Sequence, residues 1–162
     1  NAVSYYYFCN IVYYSWACAI PDPDTDTVVI TGGITGGYYT LTTVSVYSVQ
    51  GWREDLPSLN IGRRNHACTS YMSGGKRVIN TNISLFRNLY FFKALPLQMF
   101  LVSGGYYYGN DLDSTEIFDP SLGSWRAGAA LPSPRMGLRA TNFDNRVLLF
   151  GNDIFLTFKH RG

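Results

Sequence analysis

The sequence predicts an all-β fold, and three observations support this prediction. The same order of short segments occurs twice: an apolar run ending in two glycines, a loop, a strand-like segment and a tryptophan. The apolar runs at 28–30 and 147–150 are short and continuous, as in strands buried on both faces. No long segment combines helical periodicity with capping residues. We therefore expect short strands joined by turns.

The elements of this repeated order can be followed along the chain. A partial copy at 16–20 is followed by the turn at 21–24, which leads into the apolar run 28–31. Next come a glycine-rich loop, a partly alternating strand at 43–49 and a tryptophan. The paired glycines indicate positive φ or close packing. The marker residues are Gly32, Gly33, Tyr47, Trp52, Arg63 and His66 in one copy, and Gly104, Gly105, Phe118, Trp125 and Arg135 in the next.

The spacing of the copies indicates an architecture. Ala17 and Ala67 are 50 residues apart, and Ala67 and Ala140 are 73 apart. A period near 50 residues, with paired glycines and a later tryptophan, is typical of a β-propeller blade. The second interval is longer by 23 residues. An interruption at 79–99 accounts for most of this excess.

These residues, in this order, resemble the kelch repeat. Paired glycines, a strand that closes on an aromatic residue, a downstream tryptophan and a Pro-Arg-x-x-His-x-Ala-like segment follow the order of that family. Leu138 stands where the second copy would carry the histidine. The resemblance covers about residues 15–151 apart from the interruption. It implies a partial kelch-type β-propeller of about two and a half four-stranded blades.

The resemblance also divides the chain into blades and unmatched segments. Residues 1–14 and the tail 152–162 match no part of the repeat, and they share with the interruption a bias towards residues encoded by AT-rich codons. We hypothesise that all three are translated non-coding sequence in a fragment or partial gene model. The alternative is a genuine long loop at 79–99, which is uncommon inside compact domains. The expected blades are blade 1 at 15–56, blade 2 at 64–127 with the insertion 79–99, and partial blade 3 at 137–151.

Composition and charge narrow the classes of function. With 46% hydrophobic and 16% aromatic residues, the chain can bury a core. The net charge is +2 and the arginines are scattered, which argues against a nucleic-acid partner. The uncharged segment 1–21 lacks a basic start and is rich in tyrosine, so we predict neither a signal peptide nor a membrane association. An intracellular location is favoured over a secreted one.

The reactive residue types do not combine into a catalytic or metal site. Cys9, Cys18 and Cys68 form no CxxC motif, and because Cys18 and Cys68 occupy equivalent places in successive copies, we expect small buried side chains and no disulfide. His66 and Cys68 alone do not make a metal site, and the resemblance implies that His66 forms a hydrogen bond between blades. No Ser-His-Asp set is present. We predict no catalytic residue, no metal and no cofactor.

The resemblance instead implies a binding surface formed by loops on one face of the propeller. These loops are 34–42 and 106–113, within blades, and 57–64 and 132–137, between blades. Their tyrosine and arginine residues are typical of binding hot spots, and arginine favours bidentate capture of carboxylates. For Arg63 and Arg135, structural hydrogen bonds between blades are the alternative. The partner-binding candidates are Tyr38, Tyr39, Tyr106, Tyr107, Tyr108, Arg63, Arg64 and Arg135.

Two classes of function remain. The first is a non-catalytic module that binds another protein. The alternative is a fragment of a kelch-fold enzyme, of the copper-radical oxidase or sugar epimerase type. An oxidase of that sort needs paired histidine ligands, and the chain has only His66 and His160, so the first class is favoured. Because two and a half blades cannot close a ring, unpaired edges are expected to promote self-association or aggregation.

Overall fold

The computed structural model describes residues 15–22, 26–53, 56–80, 92–143, 146–151 and 154–159. Within these residues every regular element is a β-strand, which confirms the all-β prediction, and no helix is present that could cross a membrane. The strands are β1 (Cys18–Asp22), β2 (Thr27–Thr31), β3 (Val44–Ser48), β4 (Gly51–Arg53), β5 (Ala67–Asn80), β6 (Phe92–Ser103), β7 (Tyr106–Tyr107), β8 (Asn110–Asp111), β9 (Thr115–Asp119), β10 (Ser124–Ala127), β11 (Arg139–Phe143), β12 (Arg146–Gly151) and β13 (Ile154–Lys159).

The first sheet is an antiparallel meander with the strand order β1-β2-β3-β4. Its second strand is the apolar run before Gly32, and it is flanked by a strand on each side. Trp52 lies on the edge strand β4 opposite Tyr47, and their ring centroids are 5.1 Å apart. Although it is a marker residue, Trp52 is 44% exposed.

The second sheet repeats this topology with the order β5-β6-β9-β10. The short hairpin β7-β8 lies in the connection between β6 and β9. Trp125 on β10 lies opposite Phe118, as Trp52 lies opposite Tyr47 in the first sheet, but Trp125 is buried and its indole N–H donates to the carbonyl oxygen of Pro57 at 2.8 Å.

Strands β5 and β6 continue into the interruption. Asn80 pairs with Phe92, beyond a register shift between Ser73 and Lys76. Residues 92–99, expected to belong to an insertion, are therefore strand, and residues 81–91 lie outside the described part of the chain. The origin of the insertion as non-coding sequence stays a prediction, because pairing of the strands says nothing about it.

The third sheet has the order β11-β12-β13. Its last strand, Ile154–Lys159, falls in the tail that the repeat pattern left unmatched, and the end of the repeat region at residue 151 stays a prediction. This strand carries no glycine or tryptophan marker, but it is rich in branched and aromatic residues, which suit a strand. Residues 1–14 and 160–162 lie outside the described residues.

The second sheet packs between the other two and buries side chains on both of its faces. Successive residues of a strand point to opposite faces, so Phe100 and Val102 join the first sheet in one core, whereas Met99 and Leu101 join the third sheet in another. The first core contains Ile20, Val29, Val44, Leu59, Cys68, Phe100, Val102, Phe118 and Trp125; the second contains Ala67, Tyr71, Met99, Leu101, Leu131, Leu138, Val147 and Leu149.

A disulfide between Cys18 and Cys68 joins the first sheet to the second, with a Cα–Cα distance of 6.0 Å. The expectation of unbridged cysteines is therefore wrong. Cys18 pairs with Thr31 and Ala67 pairs with Ser103, and both Thr31 and Ser103 stand directly before paired glycines. Cys18 therefore corresponds in register to Ala67, and Cys68 is offset from that position by one residue. That offset turns its side chain to the opposite face of its sheet, so the two cysteines face each other.

The paired glycines hold the connections between sheets close to the strands. Gly32 has a φ of +59°, and a Cβ there would collide with the carbonyl oxygen of Arg63. The amide of Gly33 donates to that same oxygen at 2.8 Å. In the second sheet, the amide of Gly105 donates to the carbonyl oxygen of Arg135 at 2.9 Å. Both connections are therefore anchored by the same type of hydrogen bond, from a glycine amide to an arginine carbonyl oxygen. The backbones approach so closely that a side chain on the preceding glycine would collide with that oxygen.

Candidate functional site

Two loops of equivalent position are brought together at one end of the sheets. The loop 34–42 is closed at its base by the amide of Leu41, which donates to Gly33 O at 2.9 Å, and the loop 106–113 is closed by Leu112 N–H on Gly105 O at 2.8 Å. The segment that connects β4 to β5 runs between these loops. Its residue Arg64 exchanges backbone hydrogen bonds of 3.3 and 2.9 Å with Tyr106.

These loops and the connection enclose an open cleft of about 200 Å³. We call it the tyrosine cleft. Four of the predicted partner-binding tyrosines and one predicted arginine line it, although they come from segments well separated in the sequence. Its lining residues are Tyr38, Tyr39, Thr40, Arg64, Tyr106, Tyr108 and Gly109.

Arg64 contacts two aromatic rings at the cleft. Its guanidinium carbon lies 4.9 Å from the ring centroid of Trp16 and 4.8 Å from that of Tyr106, which is cation–π geometry with both rings. Among the described residues, its side chain forms no ion pair and no hydrogen bond. The two ring contacts use no N–H donor of the guanidinium in an ion pair, so these donors are available to an acceptor on a partner.

Tyr38 and Tyr108 combine high exposure with an unusual backbone. They are 83% and 76% exposed, and their φ angles are +63° and +42°, in the left-handed region that bulky residues rarely adopt. Trp16, over Arg64, has a φ of +59° and is 59% exposed. Because these side chains are exposed, burial of apolar surface among the described residues does not account for such conformations. Backbone strain of this kind concentrates at functional sites.

Tyr107 supports the cleft without lining it. Its ring packs edge-on against Tyr108 with centroids 4.5 Å apart. The ring also lies over Gly62, where a Cβ would come within 2.9 Å of Tyr107 Cε2. Tyr107 is half-buried and positions Tyr108, so a direct contact with a partner stays a prediction for this residue.

Arg63 is not part of the binding surface. Its side chain is fully buried and its guanidinium forms an ion pair with Glu116 at 2.8 Å, together with hydrogen bonds to the carbonyl oxygens of Gly104 and Ser114 at 2.8 and 3.0 Å. Burial lowers the pKa of Arg63, and the hydrogen bond and charge of Glu116 act in the opposite direction. The prediction of a partner contact is wrong for Arg63; the structural alternative holds.

Arg135 occupies the place of Arg63 in the next connection, yet it has different partners. Its Nε donates to the carbonyl oxygen of Ser133 at 3.3 Å, and its guanidinium also contacts the hydroxyl of Ser133. Both bonds stay within its own turn, so among the described residues the Arg135 side chain, unlike that of Arg63, forms no hydrogen bond to another sheet. Arg135 is half-buried and lies outside the lining of the tyrosine cleft.

His66 is buried beside the first pair of glycines. Its Nε2 lies 2.8 Å from the hydroxyl of Thr31, so this contact connects the second sheet to the first, whereas Nδ1 has no hydrogen-bond partner among the described residues. Burial, reinforced by the positive charge of Arg63, lowers the pKa of His66 from its usual 6.5 to about 3. The imidazole is therefore neutral at physiological pH.

This shift predicts a dependence of stability on pH. Because the unfolded chain takes up a proton near pH 6.5 and the folded chain only near pH 3, the contribution of His66 is complete above pH 6.5 and is lost as the pH falls through this window. From pH 7.5 to pH 5 we expect a decrease of about 2 kcal/mol in the free energy of unfolding. Urea titrations at both pH values measure it. The His66→Gln variant should show a shallower decrease; an unchanged slope would contradict the assignment.

The described residues contain no group of three or more His, Cys, Asp or Glu side chains that could hold a metal ion. Two residues with important contacts have no sequence signal that could have identified them. Trp16 belongs to the partial copy at 16–20, and nothing in the neighbouring sequence indicates its left-handed backbone. Glu116 lies in a strand, and only the fold shows that it contacts Arg63.

Neither a family model nor a curated protein sequence matches this chain.

Proposed function

We propose that this chain is a non-catalytic protein-interaction module, part of a kelch-type β-propeller, which binds a partner protein through the tyrosine cleft. Support for the architecture comes from the two four-stranded meanders and from their connections, each anchored by a glycine amide on an arginine carbonyl oxygen. Support for binding comes from the cleft itself, where strained and exposed tyrosines surround an arginine without an ion-pair partner in the described chain. Tyr, Trp and Arg are the residues most enriched in binding hot spots.

The chemistry of the cleft fits a partner segment that carries a carboxylate. The Arg64 guanidinium packs against two aromatic rings, which restrict its rotamers and so reduce the entropy that is lost when it binds, and its planar edge matches a carboxylate. The surrounding phenol rings provide apolar area with a polar tip, which suits a peptide backbone next to that carboxylate. The single observation that carries this proposal is the placement of Arg64 among the exposed tyrosines.

A peptide-display selection on the immobilised chain tests the proposal. We expect peptides with an acidic residue, and titration calorimetry should show that Arg64→Ala and Tyr108→Ala each weaken binding by about tenfold or more. The matched control is Arg146→Ala, which removes an exposed arginine from the third sheet and should leave affinity unchanged. Replacing the peptide carboxylate with an amide should cost as much as Arg64→Ala. Enriched peptides that bind both cleft variants as well as the wild type would refute it.

A further inference from the structure

Successive sheets pack on each other twice in the described residues: the first on the second, and the second on the third. Each of the two faces that make this contact is left uncovered on one of the outer sheets. The first sheet packs on the second through Ile20, Val29 and Val44, and the second packs on the third through Met99 and Leu101. Two faces have no covering sheet within the described residues: the far side of the first sheet and the far side of the third. We call them the leading face and the trailing face.

The trailing face of the third sheet corresponds to the faces through which the first and second sheets pack on the sheet that follows each of them. Phe150 stands directly before Gly151, as Thr31 and Ser103 stand before their paired glycines. Thr31 and Ser103 are fully buried by the next sheet, whereas Phe150 is 41% exposed. Leu148, two residues earlier on the same face, is only partly buried, although Leu101 at the matching place is 6% exposed. Within the part of the chain that the structure describes, the third sheet therefore has no following sheet.

The leading face of the first sheet is likewise more exposed than the matching face of the second sheet. Trp52 and Trp125 lie at matching places, each against an aromatic residue of the neighbouring strand, at 5.1 and 5.4 Å. Trp125 is 7% exposed because the preceding connection covers it through Pro57, whereas Trp52 is 44% exposed. The half-buried Ile30 matches Val102, which is fully buried by the first sheet.

A series of backbone hydrogen bonds stops at the same two faces. Asn65 N–H donates to Trp16 O at 2.9 Å, and Gly137 N–H donates to Asn65 O at 2.8 Å, so each bond links one connection to the next. All three residues have left-handed φ angles of +59°, +51° and +76°. Within the described residues, Trp16 N–H and Gly137 C=O have no partner. One further bond of this series would run from the Trp16 N–H of one molecule to the Gly137 carbonyl oxygen of another.

We propose that the chain self-associates head to tail, with the leading face of one copy packed on the trailing face of another. A second copy is the occupant that the structure favours, because the two exposed faces correspond in register to faces that already pack on each other within the chain. Such a heterologous contact produces a closed ring or an open filament, depending on the rotation between copies. The inference rests on the sheets and does not depend on the tyrosine cleft.

Sedimentation velocity of paired variants tests this contact. Trp52→Glu disables the leading face and Phe150→Glu disables the trailing face, while each variant keeps one face intact. We expect the wild type to form dimers or larger species at micromolar concentration, each variant alone to sediment as the 18.2 kDa monomer, and an equimolar mixture to form dimers. Leu122→Glu, at an exposed turn residue away from both faces, is the control and should behave as the wild type.

The mixture separates head-to-tail packing from other modes of association. Edge-to-edge pairing of two β13 strands is symmetric, so it would persist in both variants and would overturn the proposal. A monomeric wild type, or a mixture that stays monomeric although both variants retain the near-ultraviolet circular dichroism of the wild type, would also overturn it. If either Glu variant loses that signal, Trp52→Gln and Phe150→Thr replace the pair and are judged by the same outcomes.

Discussion

Arg63→Ala is expected to lower the free energy of unfolding by about 3–5 kcal/mol, because it leaves the carboxylate of Glu116 buried without its counter-charge. Glu116 is 3% exposed and also accepts hydrogen bonds from the amides of Asn60 and Ile61 at 2.7 and 3.1 Å. The guanidinium of Arg63 in turn holds the carbonyl oxygens of Gly104 and Ser114. Urea denaturation at neutral pH measures the loss.

A double-mutant cycle distinguishes the ion pair from simple loss of packing. Arg63→Met keeps most of the side-chain volume, and we expect the cost of R63M/E116Q to be smaller than the sum of the two single changes because no unpaired charge is left. Arg126→Ala removes an exposed arginine of β10 and should change stability by no more than about 0.5 kcal/mol. Strictly additive losses, or an Arg63→Ala variant as stable as the Arg126→Ala control, would contradict the structural role.

Reduction of the disulfide is expected to lower the free energy of unfolding by about 4 kcal/mol. The bridge closes a segment with a sequence separation of 50 residues, so its loss releases a large loop in the unfolded chain. It is also a covalent link between the first and second sheets, and its cysteines pack with the core that they share. Guanidinium denaturation with and without a phosphine reductant measures the effect.

The double variant Cys18→Ala and Cys68→Ala is the matched control for reduction. It should unfold at the lower stability of the reduced protein, and the reductant should have no further effect on it. An equal effect of the reductant on both proteins, or alkylation of Cys18 and Cys68 without prior reduction, would contradict the bridge. Because structural disulfides persist in oxidising compartments, the bridge favours such a compartment over the intracellular location expected from the sequence.

Local sequence signals predicted the strands and their order. The apolar runs before Gly32 and Gly104 became β2 and β6, and the segments before Trp52 and Trp125 became β3 and β9. These predictions succeeded because strand formation and turn geometry depend on neighbouring residues, which a repeat pattern records directly. The loops 34–42 and 106–113 were also identified from the sequence, because each one follows a pair of glycines. Their convergence on one cleft required the sheets to lie side by side.

Three features depended on contacts between distant segments and could not be predicted. Arg63 could have faced solvent or the core, and the partner that decided the matter, Glu116, lies 53 residues away. Trp52 and Trp125 have the same local sequence context, yet only Trp125 is covered by a preceding connection. The strand β13 carries no repeat marker and is identified only by its pairing with β12.

The amino-acid sequence by itself determined that this protein is all-β, that its strands recur in a fixed order, and that glycines stand where the connections approach the sheets. These properties follow from side-chain shape and backbone freedom over a few residues. The tertiary structure alone decided which arginine is buried, which cysteines are bridged and which aromatic residues surround Arg64. For the cysteines, a shift of one residue in register turns a side chain to the opposite face of its sheet. Arg63 and Arg64 lie between β4 and β5, where contacts with distant segments decide which side chain is buried.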